Sequence, residues 1–278
     1  MNPKKLLALY GLKWNPFLPD IPNDALWSPP GWDHFLFRVE NLVANGGYAL
    51  VCGEPGLGKS KYLQLLSSRL GRLNDVIVGV MERPQSSLGD FYREMGDLFG
   101  VGLSPANRYG GFKALRERWL AHIKKTLYRP VLLIDEAQEM NAACLNEIRI
   151  LGSADFDSQC LFTTVLAGDS RLPERFRSAD LVALGSRIHV RAMLEPYEKD
   201  ILLDYLDYTL KEAGAPQLMT SGLKETLADH AAGNLRVLNS MAGELLIKGA
   251  QAEAPELNEK LFMEVFSRQR KPAKRRVK

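Results

Sequence analysis

At 278 residues and 46% hydrophobic, the chain can bury a substantial core in one large domain or two smaller ones. It has no apolar stretch long enough to span a bilayer and no charged-apolar-small leader, which points to a soluble, cytoplasmic protein with no membrane partner. Its net charge of +3 conceals a strongly basic end on an otherwise acidic chain.

The first residues, Leu6 to Phe17, read as a short apolar helix or turn and then an aromatic-proline segment. Prolines at 16, 19, 22, 29 and 30 make residues 15–31 an ordered coil, so 1–31 is expected to be a segment packed on the core. From Trp32, apolar residues recur at Phe35, Leu36, Val39, Leu42 and Val43, one face of a helix ending near Asn45-Gly46-Gly47. Tyr48 to Cys52 is an apolar run suited to a buried strand. It leads through Gly53-Glu54-Pro55-Gly56-Leu57-Gly58-Lys59-Ser60 into a helix marked by Tyr62, Leu63, Leu65, Leu66 and Leu70.

Asp75 to Val80 reads as the next strand. Helices follow over Leu88 to Phe99 and Phe112 to Leu127, with a Gly/Pro/Asn-rich loop at 100–111 between them. Pro130 to Ile134 is a buried strand ending in Asp135-Glu136-Ala137-Gln138. A helix over Ala142 to Leu151, a strand over Leu161 to Ala167 and a short last strand from Arg187 to Val190 complete residues 32–195. This alternation predicts an α/β fold, a mostly parallel sheet covered by helices on both faces, with its ligand beyond the strand C-termini. Beyond Pro196 the period becomes helical, with stripes over 198–212, 222–231, 235–248 and 257–267, predicting a small all-helical domain over 196–267. Cys52, Cys144 and Cys160 form no C-x-x-C pair, and His34, His122, His189 and His230 show no ligand spacing, so neither a disulfide framework nor a zinc site is indicated.

The chemistry concentrates in two motifs. Residues 53–60 form a complete G-x-x-x-x-G-K-S phosphate loop between a strand and a helix. The glycines let successive N–H groups face phosphate oxygens, Lys59 places a cation at the β- and γ-phosphates, and the Ser60 hydroxyl completes a Mg²⁺ shell. Asp135, at the tip of an apolar strand, suits the water shell of the same Mg²⁺, and Glu136 is the group to orient or deprotonate an attacking water. The pair of motifs indicates a nucleoside triphosphatase using Mg²⁺. The end of the chain carries a different signal. Residues 268–278 hold seven basic residues and no acidic ones, and without them the net charge of +3 becomes −4. That tail is expected to be disordered when free, either as a solubilising end or as an arm for nucleic acid or another polyanion.

With these motifs in place the chain resembles the AAA+ ATPases, an α/β nucleotide-binding domain followed by a helical lid, from Leu6 to Ser267. More narrowly, Gly11-Leu12-Lys13-Trp14-Asn15-Pro16-Phe17, the phosphate loop and Ile134-Asp135-Glu136-Ala137-Gln138 are similar to the ExeA/TniB group, which also resembles the transposition ATPases MuB and TnsC. The resemblance implies that Arg236, in Gly233-Asn234-Leu235-Arg236, is a lid sensor of the γ-phosphate. It implies that Arg187 is an arginine finger for a neighbouring subunit, with Arg171, Arg175 and Arg177 as competitors. Such a finger can raise hydrolysis by roughly three to five powers of ten. Many relatives place a neutral polar residue where Asp169 stands. Asp169 can be the sensor there, Ser170 can replace it, or the acid can cap the next helix, and added negative charge would slow hydrolysis unless a cation compensates it.

The function implied is a transposition-type regulator. ATP assembles subunits into a ring or filament on duplex DNA, the assembly recruits a transposase or other recombination protein, and slow hydrolysis disassembles it. DNA contacts would be mainly to phosphates, with Lys113, Arg116, Arg118, Lys124 and Lys125 as candidates beside the tail. The alternatives are an ExeA-like secretion-assembly ATPase or a signalling switch of the STAND type. The former carries a transmembrane segment and wall-binding domain after the ATPase and the latter sensor or repeat domains. The chain as read stops after the lid, which favours DNA.

Overall fold

The strands beside the phosphate loop are apolar throughout because each is covered on both faces. A computed structural model describes residues 2–82, 87–103 and 107–266, so the basic tail at 268–278 lies outside the described residues. Two units emerge. One holds the described residues of Met1–Trp27 and Glu195–Lys278, the other is Ser28–Leu194. Helix α1 (Pro3–Tyr10) opens the first unit. The second runs α2 (Trp32–Asn45), β1 (Gly47–Gly53), α3 (Lys59–Leu70), β2 (Val78–Met81), α4 (Leu88–Phe99), α5 (Arg108–Thr126) and β3 (Val131–Ile134). It continues with α6 (Ala142–Gly152), the two-residue strands β4 (Ser153–Ala154) and β5 (Gln159–Cys160), β6 (Thr163–Gly168), α7 (Arg171–Arg175), α8 (Val182–Gly185) and β7 (Ile188–Leu194).

Five of these strands form a parallel sheet in the order β2-β3-β6-β1-β7. Side chains alternate across it with the strand period of two. Ala49, Val51, Val131, Leu133, Val165 and Ala167 pack on one face with Phe35, Val39, Tyr62 and Leu66. Leu50, Cys52, Leu132, Ile134 and Leu166 pack on the other with Phe91, Met95, Trp119 and Ile148. Each fully buried Leu, Ile or Phe contributes about 1.5–3 kcal/mol relative to exposure.

Three of the differences from the sequence expectation lie in the sheet unit's α5, β7 and the stretch before β6. Helix α5 begins at Arg108, because the Asn107 side chain accepts from the Gly110 N–H and caps it. Gly110 and Gly111, which read as loop, are thus helical, and a Cβ on Gly111 would stand 2.8 Å from the Tyr92 ring. Strand β7 runs four residues past Val190, its exposed His189 and Arg191 having masked the pattern. Between α6 and β6 lies the β4–β5 hairpin, whose tip residues Asp155, Phe156 and Asp157 all have positive φ. No glycine or proline announces that turn.

The remaining unit is helical: α1 with α9 (Lys199–Glu212), α10 (Ser221–Ala231), α11 (Leu235–Gln251) and α12 (Glu259–Phe266). Leu6, Leu12 and Phe17 of the N-terminal segment are buried in its core with Leu206, Leu210, Leu238 and Leu245. The Lys13 N–H donates to the Ala213 carbonyl at 2.9 Å, and Trp27 meets Tyr197 and Tyr205 edge-on. The segment anticipated as 1–31 therefore divides after Trp27, its first part sharing the helical core.

One buried carboxylate ties three helices of the sheet unit together. Glu147 on α6, 2% exposed, accepts from the Tyr92 hydroxyl of α4 and from Arg108 Nε of α5 at 3.0 Å, with an ion pair to Arg108 Nη2. Arg108 itself is half exposed, so water screens part of its attraction. Arg108→Ala leaves the buried carboxylate short of a partner and is expected to destabilise the protein by about 2 kcal/mol. A fall in the urea midpoint without a change in slope would register this.

Candidate nucleotide-binding and hydrolysis site

The site is built where three neighbouring strands end. Strand β1 stops at Gly53, and the chain turns through residues 54–58 into α3. Gly56 and Gly58 have φ of 93° and 96°, a backbone state that strains any L side chain, so the loop needs glycine at both positions. Gly53 is required for another reason: a Cβ there would lie 2.7 Å from the Leu194 carbonyl oxygen of β7. Leu57 is buried and anchors the loop from below. Lys59 is only 7% exposed, and its ammonium donates to the Gly53 and Glu54 carbonyls at 2.8 and 3.1 Å, inside the curve of the loop. No side chain caps the N-terminus of α3, whose first N–H groups and dipole favour an anion. Ser60 is exposed on the first turn of that helix. This donor set is chemically suited to a polyphosphate.

Strand β6 pairs with β1 on one side and β3 on the other, with Cys52 opposite Gly168 and Ile134 opposite Leu166. The residues after the three strands therefore line up along one edge, at strand spacings of about 4.8 Å. Asp135 leaves β3 half-buried, its N–H donating to the Met81 carbonyl at 3.1 Å and its carboxylate accepting from the Glu136 N–H at 2.9 Å. Glu136 is exposed and has φ of 50°, uncommon for a residue with a side chain. Its carboxylate accepts from the Gln138 side-chain amide. Arg175 reaches back to this turn, donating to the Gln138 and Met140 carbonyls.

Asp169 follows β6. Its carboxylate accepts from Arg171 Nε at 2.9 and 3.1 Å and from the Arg171 N–H at 3.0 Å, so it both pairs and caps. The Arg171 guanidinium holds the Asp169 carboxyl below the usual carboxylate range. Arg171 Nη2 also reaches Glu139 at 2.7 Å. The compensating cation that an aspartate needs beside phosphates is therefore supplied two residues away. Arg171 and Arg175 are both engaged within their own subunit, and Arg177 is exposed. The Asp169 carbonyl accepts from Cys52 Sγ at 3.1 Å, joining the β6 end to the β1 end.

Arg187 lies elsewhere. It precedes β7, whose first residue pairs with Tyr48, whereas the phosphate loop begins after Gly53. Five further residues of strand, about 17 Å, separate Arg187 from that end. It pairs with Asp157 and donates to the Ala183 carbonyl, lining a cleft of about 230 Å³ with Arg149, His189 and Tyr48. Arg236 belongs to the helical unit, exposed on the first turn of α11, where Asn234 caps the helix by accepting from the Arg236 and Val237 N–H groups. Gly233 has φ of 83°, and a Cβ there would meet Pro196 at 2.6 Å. Among the basic residues considered for DNA, Arg116 is engaged internally, donating to the Leu151 and Ser153 carbonyls at the end of α6. Lys113 pairs with Glu117, and Arg118, Lys124 and Lys125 are exposed.

Comparison with known proteins agrees with this architecture. Residues 43–176 match the AAA domain family. General secretion pathway protein A of Aeromonas hydrophila is 28% identical over 210 residues, 74% of this chain but 38% of that protein, so the chain spans about two fifths of that relative. The ORC2 protein of Aeropyrum pernix, solved as ADPNP–ADP complexes, superposes with a TM-score of 0.70 at 14% identity, over 93% of this chain and 72% of that one. The ORC1 protein of the same organism, solved in complex with DNA, gives 0.63 at 18% identity over 91% and 68%. At such identities the structures speak for the fold. No helix among the described residues is long and apolar enough to cross a membrane. The strand order, the glycine-dependent phosphate loop and the similarity of residues 43–176 to the AAA domain family agree on a P-loop α/β fold for the sheet unit.

Proposed function

We propose that this chain is an ATP-controlled switch that assembles on duplex DNA as a ring or filament and recruits a transposase or other recombination protein, with hydrolysis disassembling it. The observation that supports the assembly is the position of Arg187, about 17 Å of strand away from its own phosphate loop and so too far to serve its own nucleotide. The DNA component is supported by the seven positive charges at 268–278 on a chain otherwise at −4, and by a similar fold in ORC1 solved in complex with DNA. The recombination partner rests on the resemblance of Gly11 to Phe17, the phosphate loop and Ile134 to Gln138 to the ExeA/TniB group, which in turn resembles the transposition ATPases. A second reading, a nucleotide switch serving a general secretion pathway, is favoured by the relative of that name.

The phosphate loop residues Gly53, Glu54, Pro55, Gly56, Leu57, Gly58, Lys59 and Ser60 would hold the phosphates of ATP, and Ser60 and Asp135 would hold Mg²⁺, Asp135 through water. Bound there, the metal supplies neutralisation of phosphate charge. Glu136 takes the proton of the attacking water. Asp169, kept ionised and neutralised by Arg171, marks the end of β6 without leaving an uncompensated anion. Arg236, on the first turn of α11, carries the lid-sensor role that the AAA+ resemblance implies.

Lys59→Ala is expected to abolish ATP binding. Glu136→Gln should preserve it while lowering turnover by roughly a hundredfold or more, because an amide cannot accept the proton. Equal hydrolysis by the Glu136→Gln and parent proteins would remove Glu136 as the base.

Specific ATPase activity should rise with protein concentration, and Arg187→Ala should lose that rise by roughly three powers of ten while still binding ATP. Mixing Arg187→Ala with Lys59→Ala protein should restore part of the activity, since each subunit brings what the other lacks. Activity independent of concentration in the parent protein would exclude a trans-acting arginine.

DNA binding, followed by anisotropy with a non-hydrolysable ATP analogue, should weaken steeply with salt, with a log–log slope of roughly −0.9 per phosphate contact. Deleting residues 268–278 should weaken binding on all sequences alike and flatten the slope, leaving the ATP dependence intact. Absence of DNA binding by the intact, nucleotide-bound protein would turn the choice towards the secretion reading.

A further inference from the structure

The side chain of Gln138 spans the turn after β3 and the end of β6. It is 7% exposed. Its Nε2 donates to Glu136 Oε2, and its Oε1 accepts from the Asp169 N–H at 3.2 Å. The two partners fix which way round the amide stands. An ionised carboxylate can only accept and a backbone N–H can only donate, so a flipped amide would break both bonds. Space for this arrangement depends on Gly168, where a Cβ would lie 2.6 Å from Gln138 Oε1. The Gln138 backbone is itself held, its carbonyl accepting from Arg175 Nη1.

Glu136 needs such support. Its left-handed backbone is disfavoured for a residue with a side chain and persists only where the surroundings impose it. Its side chain is exposed and would otherwise sample several rotamers. A base that must meet one water in one direction gains from a fixed aim, and misplacement by about 1 Å can cost a hundredfold in rate.

We propose that Gln138 is a positioning residue for hydrolysis, aiming the Glu136 carboxylate and tying it to the backbone at the end of β6. This rests on the assignment of Glu136 as the base. The bond to the Asp169 N–H makes the aim of Glu136 depend on where β6 ends, the same backbone whose Asp169 carbonyl is joined to Cys52 of the phosphate-loop strand. The general base is thereby referenced to β6, and through β6 to the phosphate-loop strand β1, by one buried amide.

Two substitutions separate aim from fold. Gln138→Glu keeps the length and an acceptor for the Asp169 N–H but replaces the donor to Glu136 with a like charge. Gln138→Met keeps the length and removes both bonds. Both are expected to lower kcat roughly tenfold to a hundredfold while KM and the affinity for an ATP analogue stay within about twofold of the parent. In a Glu136→Gln background, single-turnover measurement should show Gln138→Met changing the residual rate by less than about twofold, because the group being aimed is gone. Parental kcat in both single variants would overturn the inference, as would a loss of ATP-analogue affinity matching the loss of kcat, which marks a structural role. An effect undiminished in the Glu136→Gln background would overturn it too. If Glu136→Gln itself turns over at the parent rate, the base assignment fails and the inference with it. If Glu136→Gln stops turnover and the Gln138 variants do not, only the role of Gln138 falls.

Discussion

Strand β6 is hydrogen-bonded on both edges, to β1 and to β3, and the rest of the sheet unit follows from that placement. All five strands run parallel, so their C-termini share one end of the sheet, and the strand order places Asp169 between the phosphate loop and the Asp135-Glu136 pair. Register matters as much as order. A one-residue slip would exchange the faces of Val165, Leu166 and Ala167, moving buried side chains from one helical layer to the other. Double-sided burial therefore pins the register, and the pinned register aligns the strand ends. The start of β6 is fixed as well, since Thr163 Oγ1 donates to the Leu42 carbonyl of α2 at 2.7 Å.

At that shared end the charges are arranged in linked pairs. Asp169 and Glu139 both take Arg171, while Arg175 satisfies two carbonyls of the turn that carries Glu136. Arg171 is mostly exposed, so its ion pairs contribute little to stability. Their effect is local: an aspartate beside a phosphate site is accompanied by a guanidinium, and the acids left for chemistry are Asp135 and Glu136. Lys59 faces the same end, held by two carbonyls instead of by a carboxylate, so its charge is not neutralised by those contacts.

The opposite end of the sheet has a different character. Arg187 and Arg149 line a cleft beside the start of β1, and the strained tip of the β4–β5 hairpin supplies Asp157 as the partner of Arg187. Parallel strands give a sheet two chemically distinct ends, with a length of strand between them. The head-to-tail assembly that we propose needs an arginine at the end opposite the phosphate loop, and Arg187 lies at that end.

The sequence by itself determined the phosphate loop, the apolar strands, most helix positions and the α/β character of residues 32–195. These follow from local rules: glycine where φ is positive, uninterrupted apolar runs where a strand is buried on both faces, and a 3.6-residue stripe where a helix packs one side. It missed the β4–β5 hairpin, because Asp155, Phe156 and Asp157 adopt left-handed conformations without glycine, and it began α5 late, because Asn107 caps a turn containing two glycines. Gln138 stood in a motif already singled out, yet nothing in its neighbours along the chain indicated a bond to Asp169, 31 residues away. Nor could spacing show that Arg116 closes the end of α6, or how far Arg187 lies from its own phosphate loop. Those are relations between elements distant in sequence. Only strand order and register settle them, because hydrogen bonds between strands, and not chain neighbours, decide which residues meet.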